Sequence, residues 1–366
     1  VPDPQFLGVA GERMNARGVE SLFPVSDVAV MGISAVIARL PKILRRIRQT
    51  AAGIVAAQPD MLVIIDSPGF THSVAKRVAR KLPELPIVDY VSPSVWAWKS
   101  WRARQMARFI DHVLALLPFE PEVHRRLGGP PCTYVGHPLI EKRGLLRPEG
   151  GNRAEIGSPP VLVVLPGSRQ SEIGRLMAPF GEAVALIQKQ HTDLEVILPA
   201  VSHLREKIAD MAADWPVPPR SVAGEDEKYA AFRKADCALA ASGTVTLELA
   251  LAQVPMVVAY RVEWIGRRFK HLLKVPSIVL ANLIIEENVV PEFLDEESDP
   301  QTLADQVLSL LEPGDARDRQ LAGFRRLDEK MQLPGGLSPS DKAAAIVLDV
   351  LARSKKGGQV RFDSGT

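Results

Sequence analysis

The sequence lacks the features that mark several large protein classes. Its 366 residues include only two cysteines, Cys132 and Cys237, which lie in different halves of the chain. This spacing excludes a disulfide framework and a cysteine-based zinc site, and it suits a reducing compartment. Lys plus Arg number 45 and Asp plus Glu number 43. No global basic field therefore points to nucleic acid as a partner.

Long apolar runs are also missing. The longest, residues 28–38, is shorter than the roughly 20 residues that a membrane-spanning helix needs. No signal peptide is recognisable at the start of the sequence. Hydrophobic residues make up 46% and charged residues 24%, which is the composition of a folded globular protein. We expect a cytoplasmic protein, either soluble or peripheral to a membrane.

Apolar runs alternate with helical patterns in both halves of the chain, and the length alone favours two domains. The runs are continuous, which is typical of parallel strands buried on both faces. We therefore predict an α/β protein with two Rossmann-like, doubly wound domains. The predicted strands are residues 61–66, 86–91, 111–117, 132–135, 161–165, 194–198, 235–241, 256–260 and 277–280, with helices such as 71–81 and 172–188 between them.

The segment 141–160 is rich in glycine, proline and charge, and it has no strong apolar period. Such a segment predicts a domain boundary. We place a first domain at residues 1–145 and a second at 155–335, followed by a helical segment at 336–353. The polar tail 354–366 is expected to be loose.

Two loops in the second domain have the residues of an anion site. Gly167 allows close backbone approach, Ser168 offers a hydroxyl, and Arg169 offers a planar fork for phosphate or carboxylate. A capped helix start with a solvated arginine explains this loop equally well. The other loop, at 242–244, lacks the GxGxxG and Walker patterns, so a dinucleotide or P-loop site is weakly supported there.

The second loop follows the predicted strand 235–241 and runs directly into a helix. Ser242, Gly243 and Thr244 stand at the helix start, where free N–H groups and the helix dipole favour an anion. Glu248 lies one turn after Thr244, and its carboxylate could accept two ribose hydroxyls. A serine cap with a surface glutamate is the simpler alternative.

Two features of the first domain also carry chemistry. Asp66 ends a predicted strand and is a candidate general base, although it could equally cap the next helix. Three of the five tryptophans, Trp96, Trp98 and Trp101, lie among cations such as Arg102, a mixture that favours a membrane interface or an amphiphilic ligand. The basic, apolar segment 37–48 is a second membrane candidate, with a charged solvent face as the alternative.

Histidines show no metal-ligand spacing, so no metal and no cofactor are predicted; we assign His137 a structural or cleft-lining role.

Several strings together resemble the lipid-A-disaccharide synthases from about residue 6 to about residue 350. The most specific is VSPSVWAW at 91–98. The others are DSP at 66–68, LPFE at 117–120, YVGHP at 134–138, LPGSR at 165–169, ASGT at 241–244 and ANL at 281–283.

The resemblance implies a GT-B-type, inverting glycosyltransferase of Gram-negative lipid A biosynthesis, with two domains facing a cleft. Such an enzyme moves 2,3-diacylglucosamine from UDP to the 6-hydroxyl of 2,3-diacylglucosamine 1-phosphate. It implies UDP binding by the second domain, with Arg169 near the diphosphate and Glu248 near the ribose. Asn282 and Gln301 match family positions tied to activity. It also implies peripheral attachment to the inner face of the inner membrane, a homodimer in some members, and a final helix that returns to the first domain.

The sequence departs from the family pattern at two places. The family opens with a strand and a Gly-Glu-Ala-Ser-Gly-Asp loop that precede the first residue here, so we expect this chain to be weakly active and expect restoration of that segment to raise turnover. The family often has a second acid where Gly69 stands. The alternatives are another UDP-sugar enzyme of the same architecture, such as a glycan transferase or epimerase, and a non-catalytic membrane-surface binding protein.

Overall fold

A computed structural model describes residues 4–29, 33–148, 155–216, 218–261 and 276–360. Its strands are β1 (Leu62–Ile65), β2 (Ile87–Tyr90), β3 (His112–Ala115), β4 (Cys132–Tyr134), β5 (Val161–Leu165), β6 (Glu195–Ala200), β7 (Arg220–Ala223), β8 (Cys237–Ala241), β9 (Met256–Tyr260) and β10 (Glu292–Leu294). Its helices are α1 (Glu12–Asn15), α2 (Ile33–Ala57), α3 (Thr71–Ala79), α4 (Trp101–Met106), α5 (Glu120–Leu127), α6 (Arg143–Leu146), α7 (Gln170–Gln188), α8 (Arg205–Ala213), α9 (Glu225–Lys234), α10 (Thr244–Leu251), α11 (Leu280–Ile285), α12 (Pro300–Leu310), α13 (Asp315–Met331) and α14 (Pro339–Val360).

The chain divides into two compact units. Unit 1 comprises the residues up to Val135 together with those from Ser340 onward, and unit 2 runs from Gly136 to Pro339. The first division lies before the predicted boundary segment 141–160, and the domain bounds 1–145 and 155–335 stay a prediction. The predicted α/β class with parallel sheets is confirmed.

Unit 1 is built on a four-stranded parallel sheet in the order β1-β2-β3-β4. Alternate residues of β2 face opposite sides: Ile87 packs in the cluster that includes residues of α3, α4 and α5, and Val88 packs against α14. On β1, Ile64 is buried, whereas Val63 and Ile65 on the other side are 40% and 48% exposed. Helix α14 therefore covers this face of the sheet at β2, at β3 and at the residue after β4, whereas the same face of β1 is left partly exposed.

Unit 2 is built on a six-stranded parallel sheet in the order β10-β9-β8-β5-β6-β7. From β5 the chain adds β6 and β7 on one side of the sheet, and it then returns to add β8, β9 and β10 on the other side. This is the doubly wound strand order, and the direction of winding reverses between β5 and β8. The strands β5 and β8 are buried throughout, as their continuous apolar sequences predict. Helices α7 and α12 supply much of the apolar packing around them.

The predicted strand at residues 277–280 is wrong. This segment leads directly into α11 and does not pair with a strand of the sheet. Ser277 Oγ and Ile278 N instead donate to the carboxylate of Glu292, at 3.0 and 2.9 Å. Two strands were not predicted, β7 and β10. Both are short edge strands, and β7 is partly exposed, so neither has the continuous apolar run that marks a buried strand.

Candidate functional site

The two predicted anion loops of unit 2 lie at the point where the winding of the sheet reverses. One follows β5 and the other follows β8, and these strands are hydrogen-bonded parallel neighbours, with Leu165 opposite Ala240. In open α/β sheets, ligands bind outside the carboxyl ends of the strands at this point. The fold therefore brings Gly167–Arg169 and Ser242–Thr244 to one edge of the sheet.

The loop after β5 requires its glycine. Gly167 has φ +116°, and a Cβ at this position would lie 2.7 Å from the Cβ of Glu172. The Glu172 Oε2 accepts hydrogen bonds from the backbone N–H groups of Ser168 and Arg169, each at 3.2 Å. Its Oε1 is 2.5 Å from Nη1 of Arg169, whose side chain is half-exposed. The buried Glu172 thus orders the loop and holds the guanidinium at its rim.

The loop after β8 begins α10 without a side-chain cap. Gly243 is the N-cap residue, and Gly243 and Thr244 are both exposed. Ser242 does not cap the helix, because its Oγ donates to the carbonyl of Ile278 at 2.9 Å. One turn into α10, both carboxylate oxygens of Glu248 accept from Nζ of Lys228.

Asn282 is buried in α11, and its side-chain amide makes four hydrogen bonds to other residues of unit 2. Its Oδ1 accepts from the N–H groups of Val289 and Val290 at 3.1 and 3.0 Å. Its Nδ2 donates to the carbonyl of Val290 at 2.9 Å and to Ser277 Oγ at 3.3 Å. This geometry favours a positioning role over direct contact with a substrate.

Gln301, by contrast, is exposed in the first turn of α12. Its Nε2 donates to Asp305 Oδ1 on the same helix at 2.8 Å. Its predicted contact with UDP stays a prediction.

Asp66 lies in unit 1, directly after β1, on strained backbone. Both Asp66 and Ser67 are in the left-handed region, with φ of +48° and +47°, and such strain in non-glycine residues concentrates at functional sites. Its N–H donates to the carbonyl of Tyr90 at 3.0 Å, and its carbonyl accepts from Thr71 Oγ1 at 2.7 Å. Within the described residues its exposed carboxylate makes no hydrogen bond, so it does not cap α3.

A buried acid and histidine lie close enough to Asp66 for its charge to act on the acid. Asp89, on the strand next to β1, has its Oδ2 2.9 Å from Nε2 of His72 on α3. Burial raises the pKa of Asp89, the hydrogen bond with His72 opposes this, and the charge of Asp66 raises it further.

The tryptophan-rich segment divides into two parts. Trp98 and Trp101 are 48% and 57% exposed, and Lys99 Nζ lies 4.0 Å from the centroid of the Trp98 ring. Arg102 also stacks near that ring, at 5.7 Å. This exposed, cationic part keeps the character that the sequence predicts for a membrane-facing surface.

Trp96 differs from these two in being only partly exposed, and its predicted lipid-facing role stays a prediction. It is half-buried, packs edge-to-face on Phe119 with ring centroids 5.4 Å apart, and donates its indole N–H to Glu120 Oε1 at 3.2 Å. A buried acceptor for the indole N–H and a neighbouring aromatic ring hold it in the protein.

Sequence reasoning missed a buried polar cluster behind Trp96. Glu120 also accepts the N–H of Leu117 at 2.9 Å, and burial raises its pKa to about 7. Close by, Ser92 Oγ lies 2.8 Å from Nε2 of His124, a histidine whose pKa burial lowers to about 4. The LPFE string contained Glu120, but nothing local indicated that it would be buried.

His137 has the structural role predicted for it. Its Nδ1 accepts the N–H of Leu139 at 3.1 Å and so caps a short 3-10 helix, and burial lowers its pKa to about 4. Among the residues that the structure describes, no cluster of three histidine, cysteine or acidic side chains could hold a metal ion. No described helix has the length and apolarity to cross a membrane.

Solved structures of low identity share this fold. The Acinetobacter baumannii MurG structure is 13% identical, covers 89% of this chain and 86% of its own, and gives a TM-score of 0.53. A UDP-GlcNAc 2-epimerase from Neisseria meningitidis, solved bound to UDP-GlcNAc, is 12% identical with 93% and 87% coverage and a TM-score of 0.54. At these identities the likeness shows the fold alone. Two Rossmann-like units in one chain are the architecture of the GT-B fold.

The sequence comparisons identify the family within that fold. A family model described as lipid-A-disaccharide synthetase matches residues 1–345. The lipid-A-disaccharide synthase of Nitrobacter hamburgensis is 55% identical over 96% of this chain and 89% of its own length. That of Rhodopseudomonas palustris strain HaA2 is 54% identical over 95% and 89%. The chain belongs to the lipid-A-disaccharide synthase family and is a glycosyltransferase.

Proposed function

We propose that this chain transfers 2,3-diacylglucosamine from UDP to the 6-hydroxyl of 2,3-diacylglucosamine 1-phosphate and releases UDP. The observation that carries the proposal is the pair of anion loops at the winding reversal of unit 2, in a chain of this family. This edge combines a guanidinium at Arg169 with an uncapped helix start at Gly243. Both features suit a nucleoside diphosphate.

The donor half of the reaction belongs to unit 2. Negative charge grows on the diphosphate as the glycosidic bond breaks, so donors fixed at that position stabilise the transition state more than the ground state. Arg169, the Gly167–Ser168 backbone and the start of α10 at Ser242–Thr244 fill this role in our proposal. Glu248 accepts the ribose hydroxyls, Gln301 contacts UDP, and Asn282 holds the Ser277–Val290 region in place.

The acceptor half belongs to unit 1. Asp66 takes the proton of the acceptor 6-hydroxyl as that oxygen attacks the anomeric carbon from the face opposite UDP, which inverts the centre. Its exposure and its carboxylate without a described hydrogen bond support this role, since a base needs a free lone pair aimed outward.

Both substrates carry acyl chains, so the enzyme has to meet a lipid surface. We assign that contact to Trp98, Trp101 and Arg102, with the chain peripheral on the inner face of the inner membrane. Aromatic rings beside cations favour the boundary between acyl chains and anionic headgroups. Homodimer formation stays a prediction from the resemblance.

The experiment measures UDP release from UDP-2,3-diacylglucosamine with and without the monosaccharide 1-phosphate acceptor. Release that depends on the acceptor supports the proposal, and the disaccharide product is verified by mass. Silence while UDP still binds would contradict it and favour another sugar substrate or a binding role.

A further inference from the structure

Lys228 and Glu248 form an ion pair that links two helices of unit 2. Lys228 lies in the first half of α9 and Glu248 in α10, twenty residues further along the chain. Nζ of Lys228 lies 3.1 Å from Oε1 and 2.8 Å from Oε2 of Glu248, so one ammonium contacts both carboxylate oxygens. Both side chains are largely shielded, with 25% and 13% of their surface exposed.

The ammonium is itself held in place by its surroundings. It lies 5.0 Å from the ring centroid of Tyr229 and 5.9 Å from that of Phe232. The Tyr229 hydroxyl donates to Glu225 Oε1 at 2.7 Å, and Lys142 donates to both Glu225 and the Tyr229 hydroxyl. The aromatic surface next to Lys228 is therefore anchored by a second ion pair.

The pair also changes the electrostatics at the start of α10. A carboxylate one turn into α10 would repel a diphosphate at the start of that helix, and a cation on both of its oxygens offsets the repulsion. Each carboxylate oxygen has two lone pairs. Lys228 occupies one lone pair on each oxygen, so one lone pair on each oxygen stays available. These two lone pairs can accept from the two hydroxyls of a ribose diol.

We infer that Lys228 is a positioning residue that orients Glu248 for the ribose diol of the uridine nucleotide and so sets selectivity for ribose over 2′-deoxyribose. This inference rests on the ribose role of Glu248 in the proposed function. Lys228 acts through Glu248 and does not contact the nucleotide.

The test measures binding of UDP and 2′-deoxy-UDP by titration calorimetry, which requires neither acceptor nor turnover. The wild type is expected to bind UDP about tenfold more tightly, because one hydrogen bond to a charged group is lost with 2′-deoxy-UDP. Lys228→Met keeps the aliphatic stem and removes the ammonium. It is expected to bring the ratio of the two dissociation constants close to one.

Lys234→Met is the matched control, because Lys234 is an exposed lysine at the end of the same helix. It should leave the ratio at its wild-type value. A K228M variant that weakens UDP and 2′-deoxy-UDP equally, with the ratio retained, would overturn the inference. If K228M does not fold, as judged by its thermal transition, Lys228→Gln carries the same prediction.

Glu248→Gln separates this inference from the proposal beneath it. If E248Q keeps the wild-type ratio, the ribose role of Glu248 fails and the inference fails with it. If E248Q removes the preference and K228M does not, only the inference fails. If both remove it, and the double variant goes no further than either, the two residues act as one unit.

Discussion

The two units treat their buried polar side chains differently. In unit 2 these side chains mostly bond the backbone: Gln320 bridges the N–H and carbonyl of Met256, and Asp236 accepts the N–H groups of Gly157 and Val161. Asn282 follows the same pattern. Such contacts fix the loops that they join.

In unit 1 the buried polar side chains mostly bond one another, and most of them titrate. Asp89 pairs with His72, Ser92 with His124, and Glu120 with Trp96. Burial raises the pKa values of Asp89 and Glu120 and lowers that of His124, and in each case it favours the neutral form. In the proposed function, the nucleotide therefore binds the unit whose buried polar groups bond the backbone, and the acceptor binds the unit that holds the shifted titratable groups.

The largest expected effect tests the division of labour between the units. Asp66→Asn should lower kcat by about 10²- to 10⁴-fold, the usual contribution of a general base, in a form of the chain that is active. UDP affinity, measured by calorimetry, should not change, because the nucleotide residues belong to unit 2. Asp349→Asn on α14 is the control, and its kcat should stay within about twofold of the wild type. A D66N variant with full activity would remove Asp66 as the base.

The backbone-bonding pattern of unit 2 predicts a large loss of stability on Asn282→Ala. Removal of the carboxamide leaves the buried N–H of Val290 without its acceptor, whereas the N–H of Val289 still donates to the carbonyl of Glu287 at 3.0 Å. We expect a cost of about 1–3 kcal/mol in the free energy of unfolding. Urea denaturation measures this cost. Asn288→Ala removes an exposed amide nearby and should change stability by less than about 0.5 kcal/mol. Equal effects of the two variants would contradict the positioning role.

The titrating pattern of unit 1 predicts a pH-dependent effect of Glu120→Gln. The folded-state pKa of Glu120, about 7, lies above its ordinary 4.5. Its stabilising contribution is therefore complete below pH 4.5 and is lost as the pH rises through about 7. Relative to the wild type, E120Q should gain up to about 3 kcal/mol in unfolding free energy between pH 5 and pH 8.

Glu122→Gln is the matched control for this measurement, since Glu122 is exposed on the same helix. Its pH profile should follow that of the wild type. His124 works in the opposite direction: its folded-state pKa of about 4 means that stability is lost as the pH falls through 6.5 toward 4. A pH-independent difference between E120Q and the wild type would show that Glu120 is ionised throughout.

The smallest expected effect concerns the exposed surface of unit 1. Replacing Trp98 and Trp101 together by Ser should reduce co-sedimentation with anionic lipid vesicles several-fold, because two interfacial aromatic rings are lost. Trp96→Phe should leave vesicle binding unchanged, since that ring is half-buried against Phe119 and phenylalanine keeps an aromatic ring there. Unchanged binding of the double variant would remove this surface as the membrane contact.

Much of the fold follows from local pattern. The strands β5 and β9 coincide with their predicted bounds, because a short, continuous apolar run rich in valine between turn residues favours a buried strand. The loops at Gly167–Arg169 and Ser242–Thr244 were also found from sequence, since glycine and small polar residues between a strand and a helix are a local signal. The family itself was recognisable from short strings such as VSPSVWAW.

What only the tertiary structure decided is which distant residues meet. Trp96 and Trp98 look alike in sequence, yet one rests on Phe119 and Glu120 and the other is exposed. Lys228 reaches Glu248 across twenty residues, a contact for which no helical or strand period gives a signal. Local patterns encode which face of a helix or strand is buried and where it ends. The strand order of the sheet decides which side chains from different elements meet, and the resulting burial shifts their pKa values.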